Sequence, residues 1–297
     1  MTTAPNPTPA DAKPVRRTPW RRSLPGARVL KNGYVIYWWL ELLMVAAFYS
    51  SYSFIRNLNG NDVQLAFENA RRVMDFQSLI GINHEFTVHH WALQVRPLII
   101  SLNYFYGSFH FFVTIGVGIF LFLRYRNDYP RWRNTIAITT SMALIGFIFF
   151  PLMPPRLLDD YCAQELANAC RYGFVDTLAK YPTFWSFNSG AVSRISNQYA
   201  AMPSVHCAWA LWCACALYPR VKHWWIKPIA VAYPVTTVTA IILTANHYFI
   251  DAVAGFAVLG VAYLIARRFT RAGVYHVVDP ADEHIHLPHR QERTPSN

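Results

Sequence analysis

Ala201-Met202-Pro203-Ser204-Val205-His206 and Asn246-His247-Tyr248-Phe249-Ile250-Asp251 each set a histidine at the mouth of an apolar segment. Pro203 suits the first turn of a helix, where its missing N–H costs no hydrogen bond. Ser204 and His206 then fall in that turn, beside amides with no partner inside the helix. Such an end attracts an anion, phosphate foremost. His247 and Asp251 are four residues apart, so on a helix they share a face and the carboxylate reaches the imidazole. A carboxylate-held histidine and a second histidine from another helix are the parts of a nucleophile and a general acid. Arg156, directly after Pro154-Pro155, adds a planar cation able to hold two phosphoryl oxygens at once. Ser204 and Asn246 join it as candidate substrate-binding side chains.

Composition says where such a site would sit. Apolar residues make up 54% of the 297-residue chain and charged residues 14%, against roughly 25% in an average soluble domain. This is an integral membrane composition, long enough for one bundle of several spans with tails. The net charge of +11 lies in clusters between apolar runs. There it serves orientation and contact with anionic lipid, which argues against a nucleic-acid partner.

Apolar runs at about 34–55, 98–123, 135–152, 202–218, 229–245 and 248–266 predict six transmembrane helices within a membrane domain of residues 33–271. Gly107 is a candidate break in the second, and Pro234 a kink in the fifth. Residues 1–32, rich in Pro, Lys and Arg, are expected to stay disordered as a basic cytoplasmic tail. Residues 272–297 form a polar C-terminal tail. Glu41 falls inside the first run, where an interfacial position or a hydrogen bond to a neighbour accounts for it. Val63, Ala66, Phe67, Ala70 and Val73 lie at helical spacing and predict an amphipathic helix on the membrane surface. Tyr106 and His110 share a helical face in the second run, as packing polar residues or as the lining of a cavity.

Basic clusters precede the first run and follow the second, fourth and sixth. With six spans they all fall on one side, which the positive-inside rule makes cytoplasmic together with both termini. Arg156, Ser204, His206, His247 and Asp251 then meet at the extracytoplasmic face, with the plasma membrane as the expected location. Cys162 and Cys170 lie in the outer segment 153–200, where oxidation is allowed. Cys207, Cys213 and Cys215 read as small core residues of an apolar run.

A carboxylate such as Asp251 deep in a membrane costs roughly 2.5–3.5 kcal/mol, and His247 is the partner that offsets it. A His–Asp pair can be purely structural. With His206 and Arg156 at the same face it reads as catalytic: His247 attacks phosphorus, and His206 protonates the leaving oxygen before activating the incoming water or alcohol. These residues call for no metal and no cofactor. His84, His89 and His90 carry no H-E-x-x-H pattern, and no Walker or Rossmann glycine pattern occurs.

Pro154-Pro155-Arg156, Ala201-Met202-Pro203-Ser204-Val205-His206 and His247 with Asp251 resemble the three signature segments of the type-2 phosphatidic acid phosphatase superfamily. The branch they resemble most contains inositol phosphorylceramide synthase. The resemblance covers roughly residues 98–266. It implies an all-α core of six spans, metal-independent phosphoryl transfer and a phosphohistidine on His247. Asp251 is then its partner, His206 the acid/base, and a lipid phosphate or phospholipid the substrate. Phe149 stands where that pattern has lysine, Ile241 where it has arginine, and Val205 where it has glycine. Lys180, Arg171 and Arg194 are the candidate replacements for the missing cations. These departures favour a phosphotransferase, with phosphoinositol as one headgroup, over a lipid or polyprenyl phosphate phosphatase. A transporter using the His–Asp pair for proton or substrate binding is the third reading, and the internal repeats frequent in transporters are not visible.

Overall fold

The computed structural model describes residues 27–29, 35–58, 62–125, 127–181 and 198–271. Residues 1–26, Arg194 and the C-terminal tail lie outside them. The chain divides into two units, Met1–Val45 with His276–Asn297, and Ala46–Tyr275. In the first, strands β1 (Ala27–Val29) and β2 (Val35–Tyr37) pair antiparallel, Ala27 opposite Tyr37. Residues 27–29 were expected within the disordered tail. Local extended propensity in Val29, Val35, Ile36 and Tyr37, with main-chain pairing, needs far less apolar content than a packed core. Helix α1 (Trp38–Leu58) follows directly, with buried Glu41 in its first turn, where a carboxylate suits the helix dipole.

The described residues are mostly helical. After α1 come α2 (Val63–Leu79), α3 (Glu85–Leu93), α4 (Arg96–Arg124) and α5 (Tyr129–Phe149). A 3-10 turn (Pro155–Leu157) leads into α6 (Leu158–Gln164) and α7 (Thr177–Lys180). Then follow α8 (Val205–Leu217), α9 (Ile226–Leu243) and α10 (Phe249–Arg271). Among the described residues α4, α9 and α10 are long and apolar enough to cross a membrane. Gly107 does not interrupt α4, and α9 runs through Pro234.

The middle of the bundle is α8, which packs against α4, α5, α9 and α10. Its buried Cys207, Ala208, Ala210, Cys213, Ala214 and Ala216 are small, so helices close in from several sides. It is also shorter than its apolar run. Ser204 adopts extended backbone and its Oγ accepts the Cys207 N–H at 3.4 Å, so the helix starts at Val205. Pro203 therefore precedes the cap instead of occupying the first turn. With 13 residues, α8 is roughly 20 Å long, short of a hydrocarbon layer about 30 Å thick.

The two ends of the bundle differ. At one, Arg220 pairs with Asp128 at 2.5 Å, and Tyr125 donates to the Arg220 carbonyl at 3.1 Å. This ties the turn after α4 to the turn after α8. At the other lies a cap built from α2, α3 and residues 150–181. The face of α2 carrying Ala66, Phe67, Ala70 and Val73 packs on Leu152, Met153, Leu158, Phe174 and Tyr248. The expected surface helix thus gives its apolar face to protein, because the same spacing serves lipid and core equally well. Cys162 and Cys170 form a disulfide within the cap, with Cα atoms 5.4 Å apart.

Two glycines set the approach of helices to the start of α8. A Cβ on Gly146 of α5 would stand 2.6 Å from Pro203 Cδ, and one on Gly255 of α10 would collide with the Ser204 carbonyl oxygen. Overpacking of this kind costs about 1–3 kcal/mol. Gly255→Ala is expected to lower the melting temperature in detergent. It must push the Ser204 carbonyl aside, and a melting curve beside that of wild type checks the loss.

Candidate active site

His206 is the second residue of α8, held by the Ser204 cap. Its ring stacks on Tyr106 of α4 at 4.3 Å between centroids, meets His110 at 4.3 Å, and faces His247 at 5.8 Å. Tyr106 and His110, left open as packing or cavity residues, are therefore part of the histidine cluster.

His247 arrives by a different route from the one its spacing suggests. It lies in the turn between α9 and α10, not on a helix. That turn is a Schellman closure: Ala245 sits at φ +55°, its N–H donates to the Ile242 carbonyl at 3.0 Å, and the Asn246 N–H donates to Ile241 at 2.9 Å. Asp251, in the first turn of α10, reaches back. Its Oδ2 accepts the His247 Nδ1–H at 3.2 Å and the Tyr248 amide at 3.0 Å, half of a capping box. The pair meets, through capping geometry. Nδ1 keeps its proton toward Asp251, which leaves Nε2 as the ring nitrogen with a free lone pair. Asn246 is buried and donates its side-chain amide to Thr244 Oγ1 at 2.7 Å, so it serves the turn.

Arg156 and Ser204 are tied to the same place by main chain. The Arg156 N–H donates to the Ala245 carbonyl at 2.9 Å, and the Ser204 N–H to the Asp251 carbonyl at 2.9 Å. The Arg156 side chain is buried and donates through Nη1 to Asp176 Oδ2 at 2.6 Å. Asp176 Oδ1 in turn caps α7 through the amides of Leu178 and Ala179.

Sequence reasoning missed four residues that hold this arrangement. The first is Asp176, which no motif marks. Gln77 and Glu85 meet in the cap at 2.7 Å, and they accept the Ile250 and Phe249 amides at 3.0 and 2.9 Å. They thereby satisfy two orphan donors at the start of α10 from far away in the chain. His89, on α3 in the cap, is fully buried. Its Nδ1–H donates to the Leu243 carbonyl at 2.8 Å and its Nε2 accepts the Val175 N–H at 3.2 Å. One imidazole thus links the end of α9 to the residue before Asp176.

The bond that Nε2 accepts requires the neutral ring, and burial, opposed by the Leu243 bond and aided by nearby His90, holds the His89 pKa below the ordinary 6.5. As pH falls through 6.5 the unfolded chain takes up a proton that the fold resists. The stability His89 contributes is therefore whole above 6.5 and is lost as pH falls toward the lower folded value. The melting temperature of wild type is expected to decline more between pH 7.5 and 5.5 than that of His89→Gln, which offers a donor and an acceptor without titrating. Equal slopes would remove His89 from this role.

The departures from the family pattern have distinct fates. Ile241 is buried beside His206, Phe149 is 80% exposed, and Val205 packs against α5. Of the proposed replacement cations, Lys180 lies over the Tyr181 ring, and Arg171 lines a cavity with His90 and Asp159. Arg194 lies outside the described residues.

The sequence pattern of the PAP2 superfamily matches residues 71–265, a stretch that contains every one of these groups. No curated protein and no solved structure gives a match.

Proposed function

The chain belongs to the PAP2 superfamily, which acts on phosphate esters as phosphatases or phosphotransferases, and on that premise we propose that it is a membrane phosphotransferase moving a phosphorylated headgroup between lipid-linked substrates. The observation carrying this reading is the pair of histidines facing each other at 5.8 Å, one of them held by a buried carboxylate. His247 Nε2 attacks phosphorus, the bond to the leaving oxygen breaks, and His206 supplies that oxygen with a proton. In the second half, His206 removes the proton of the incoming hydroxyl, whose oxygen attacks phosphorus and releases His247. Arg156 and the Ser204 hydroxyl at the start of α8 bind the charge that develops on the phosphoryl oxygens. Burial of Arg156, Ser204 and His247 beneath the cap supports an alcohol as acceptor in place of bulk water.

In this reading α1, α4, α5, α8, α9 and α10 are the six spans. The end bearing Arg220 is cytoplasmic, and the capped end faces outward. The disulfide in the cap supports an oxidising side for that end. The short α8 would then set Ser204 and His206 below the surface of the bilayer, at the depth of a lipid phosphate.

Purified protein in lipid, given a panel of phospholipids labelled in the headgroup phosphate, tests the proposal. A new labelled lipid or glycolipid is the expected product. Labelled inorganic phosphate from a lipid phosphate monoester, or a labelled water-soluble headgroup phosphate from a diester, with no new lipid, would make the enzyme a hydrolase. No turnover of any phosphate ester would sink both and raise the transporter reading.

A further inference from the structure

Arg156 brings one positive charge to the turn that carries His247, and that charge is already shared. Its Nη1 donates to Asp176 Oδ2 at 2.6 Å, while its Nε is buried and makes no hydrogen bond among the described residues. Asp176 is held where it stands. Its Oδ1 accepts the Leu178 and Ala179 amides at 2.9 and 3.1 Å. The chain leading to it is pinned as well: the Asp159 carboxylate accepts the Tyr172, Gly173 and Phe174 amides, and His89 accepts that of Val175. Asp160 on α6 is exposed yet lies in the same field. Partial desolvation raises its pKa, the Asp176 charge raises it further, Arg156 opposes both, and Asp159 adds a smaller push upward. Of the other cations at the capped end, Arg96 and Lys180 lie against the Tyr181 ring and Arg72 donates to Asn69. The Arg156 guanidinium is thus met by a fixed negative charge before any substrate arrives.

A phosphodiester carries one negative charge. A phosphomonoester carries nearly two at neutral pH, because its second ionisation lies at about pH 6. Charge taken out of water has to be balanced, and each further negative charge on the substrate is repelled by the Asp176 carboxylate. A repulsive group of this kind rejects one ligand while tolerating a close relative. On the reading of Arg156 as the residue that binds the phosphoryl group, we propose that Asp176 is a specificity-determining residue whose fixed charge admits a phosphodiester monoanion and disfavours a phosphomonoester dianion. The carboxylate acts on the choice between the two substrates and takes no part in moving the phosphoryl group. Around Arg156 the ionisable groups are Asp176 ahead of α7, Asp160 on α6 and Tyr199 ahead of α8, with Tyr161 and Glu165 beyond Tyr199. A ratio taken between two substrates at one pH cancels what these groups do to the enzyme as a whole.

The test is purified full-length protein in lipid, given a headgroup-labelled phosphodiester lipid and a lipid phosphate monoester with the same acyl chains. The readout is the ratio of their kcat/KM values. For wild type at pH 7.5 the diester is expected to lead. The gap should narrow below about pH 6, where the monoester becomes a monoanion. Asp176→Ser keeps an oxygen for the cap of α7 and removes the charge. It should narrow the gap at pH 7.5 by about tenfold and flatten its pH dependence. A residue that merely held Arg156 in place would lower both substrates alike and leave the ratio where it was. Asp160→Asn changes an exposed position and should move the ratio the same way by a smaller factor. It decides the matter if Asp176→Ser does not fold. A ratio unmoved in the folded variants overturns the proposal, as does a wild type that favours the dianion. A wild type that turns over neither ester removes the proposed function, and the role of Asp176 with it.

Discussion

His247→Ala is expected to abolish phosphoryl transfer, with a loss of at least roughly 10⁴-fold, because in the proposed mechanism it removes the group to which phosphorus is bound between the two half-reactions. Asp251→Asn should cost nearly as much. Asp251 Oδ2 holds both the His247 Nδ1–H and the Tyr248 amide, and an amide in its place turns the imidazole to the wrong tautomer. The distinguishing measurement is a rapid acid-free quench with labelled substrate. Wild type and His206→Ala should carry label on protein, the latter more slowly, whereas His247→Ala should carry none. Label on His247→Ala would move the nucleophile to another residue.

Arg156→Ala should be costly for two separate reasons. The side chains of Arg156 and Asp176 are only 8% and 11% exposed and lie 2.6 Å apart. Removing the arginine leaves a buried carboxylate without its cation, which costs about 3–5 kcal/mol. It also removes the charge that binds the transferring phosphoryl group in the proposed mechanism, worth roughly 10²–10³-fold in rate. The two effects separate in a cycle. Arg156→Ala with Asp176→Ala should regain much of the lost melting temperature and none of the activity. Arg156→Lys keeps the charge but not the two-pronged fork, so it should restore stability better than rate. Full activity in Arg156→Ala would take phosphate binding away from this residue.

The way Asp176 reaches Arg156 marks the boundary of sequence reasoning. Twenty residues separate them, in a segment whose composition reads only as polar loop, and no periodicity carries information across such a gap. Gln77, Glu85 and His89 lie still further, 154 to 173 residues from the α9 and α10 groups they bind. Each was legible as a polar residue and none as a support for His247 or Asp176. The spacing in α2 was legible as one apolar face, but not what that face covers. Burial against Met153 and Tyr248 and burial in lipid call for the same pattern.

By itself the sequence pointed to the class of molecule and to the candidate chemical parts. Apolar runs of membrane length, three motif segments, and the residues His206, His247, Asp251 and Arg156 follow from composition and local spacing, because each is set by side chains within a turn or two of one another. Tertiary structure alone decided how those parts are held. It started α8 at Val205, bent the chain so that Asp251 reaches His247 from a capping turn, put Tyr106 and His110 around His206, and locked Arg156 to Asp176. Those choices depend on groups far apart in the chain satisfying one another's buried hydrogen bonds. Such satisfaction is a property of the packed whole, and no window of sequence contains it.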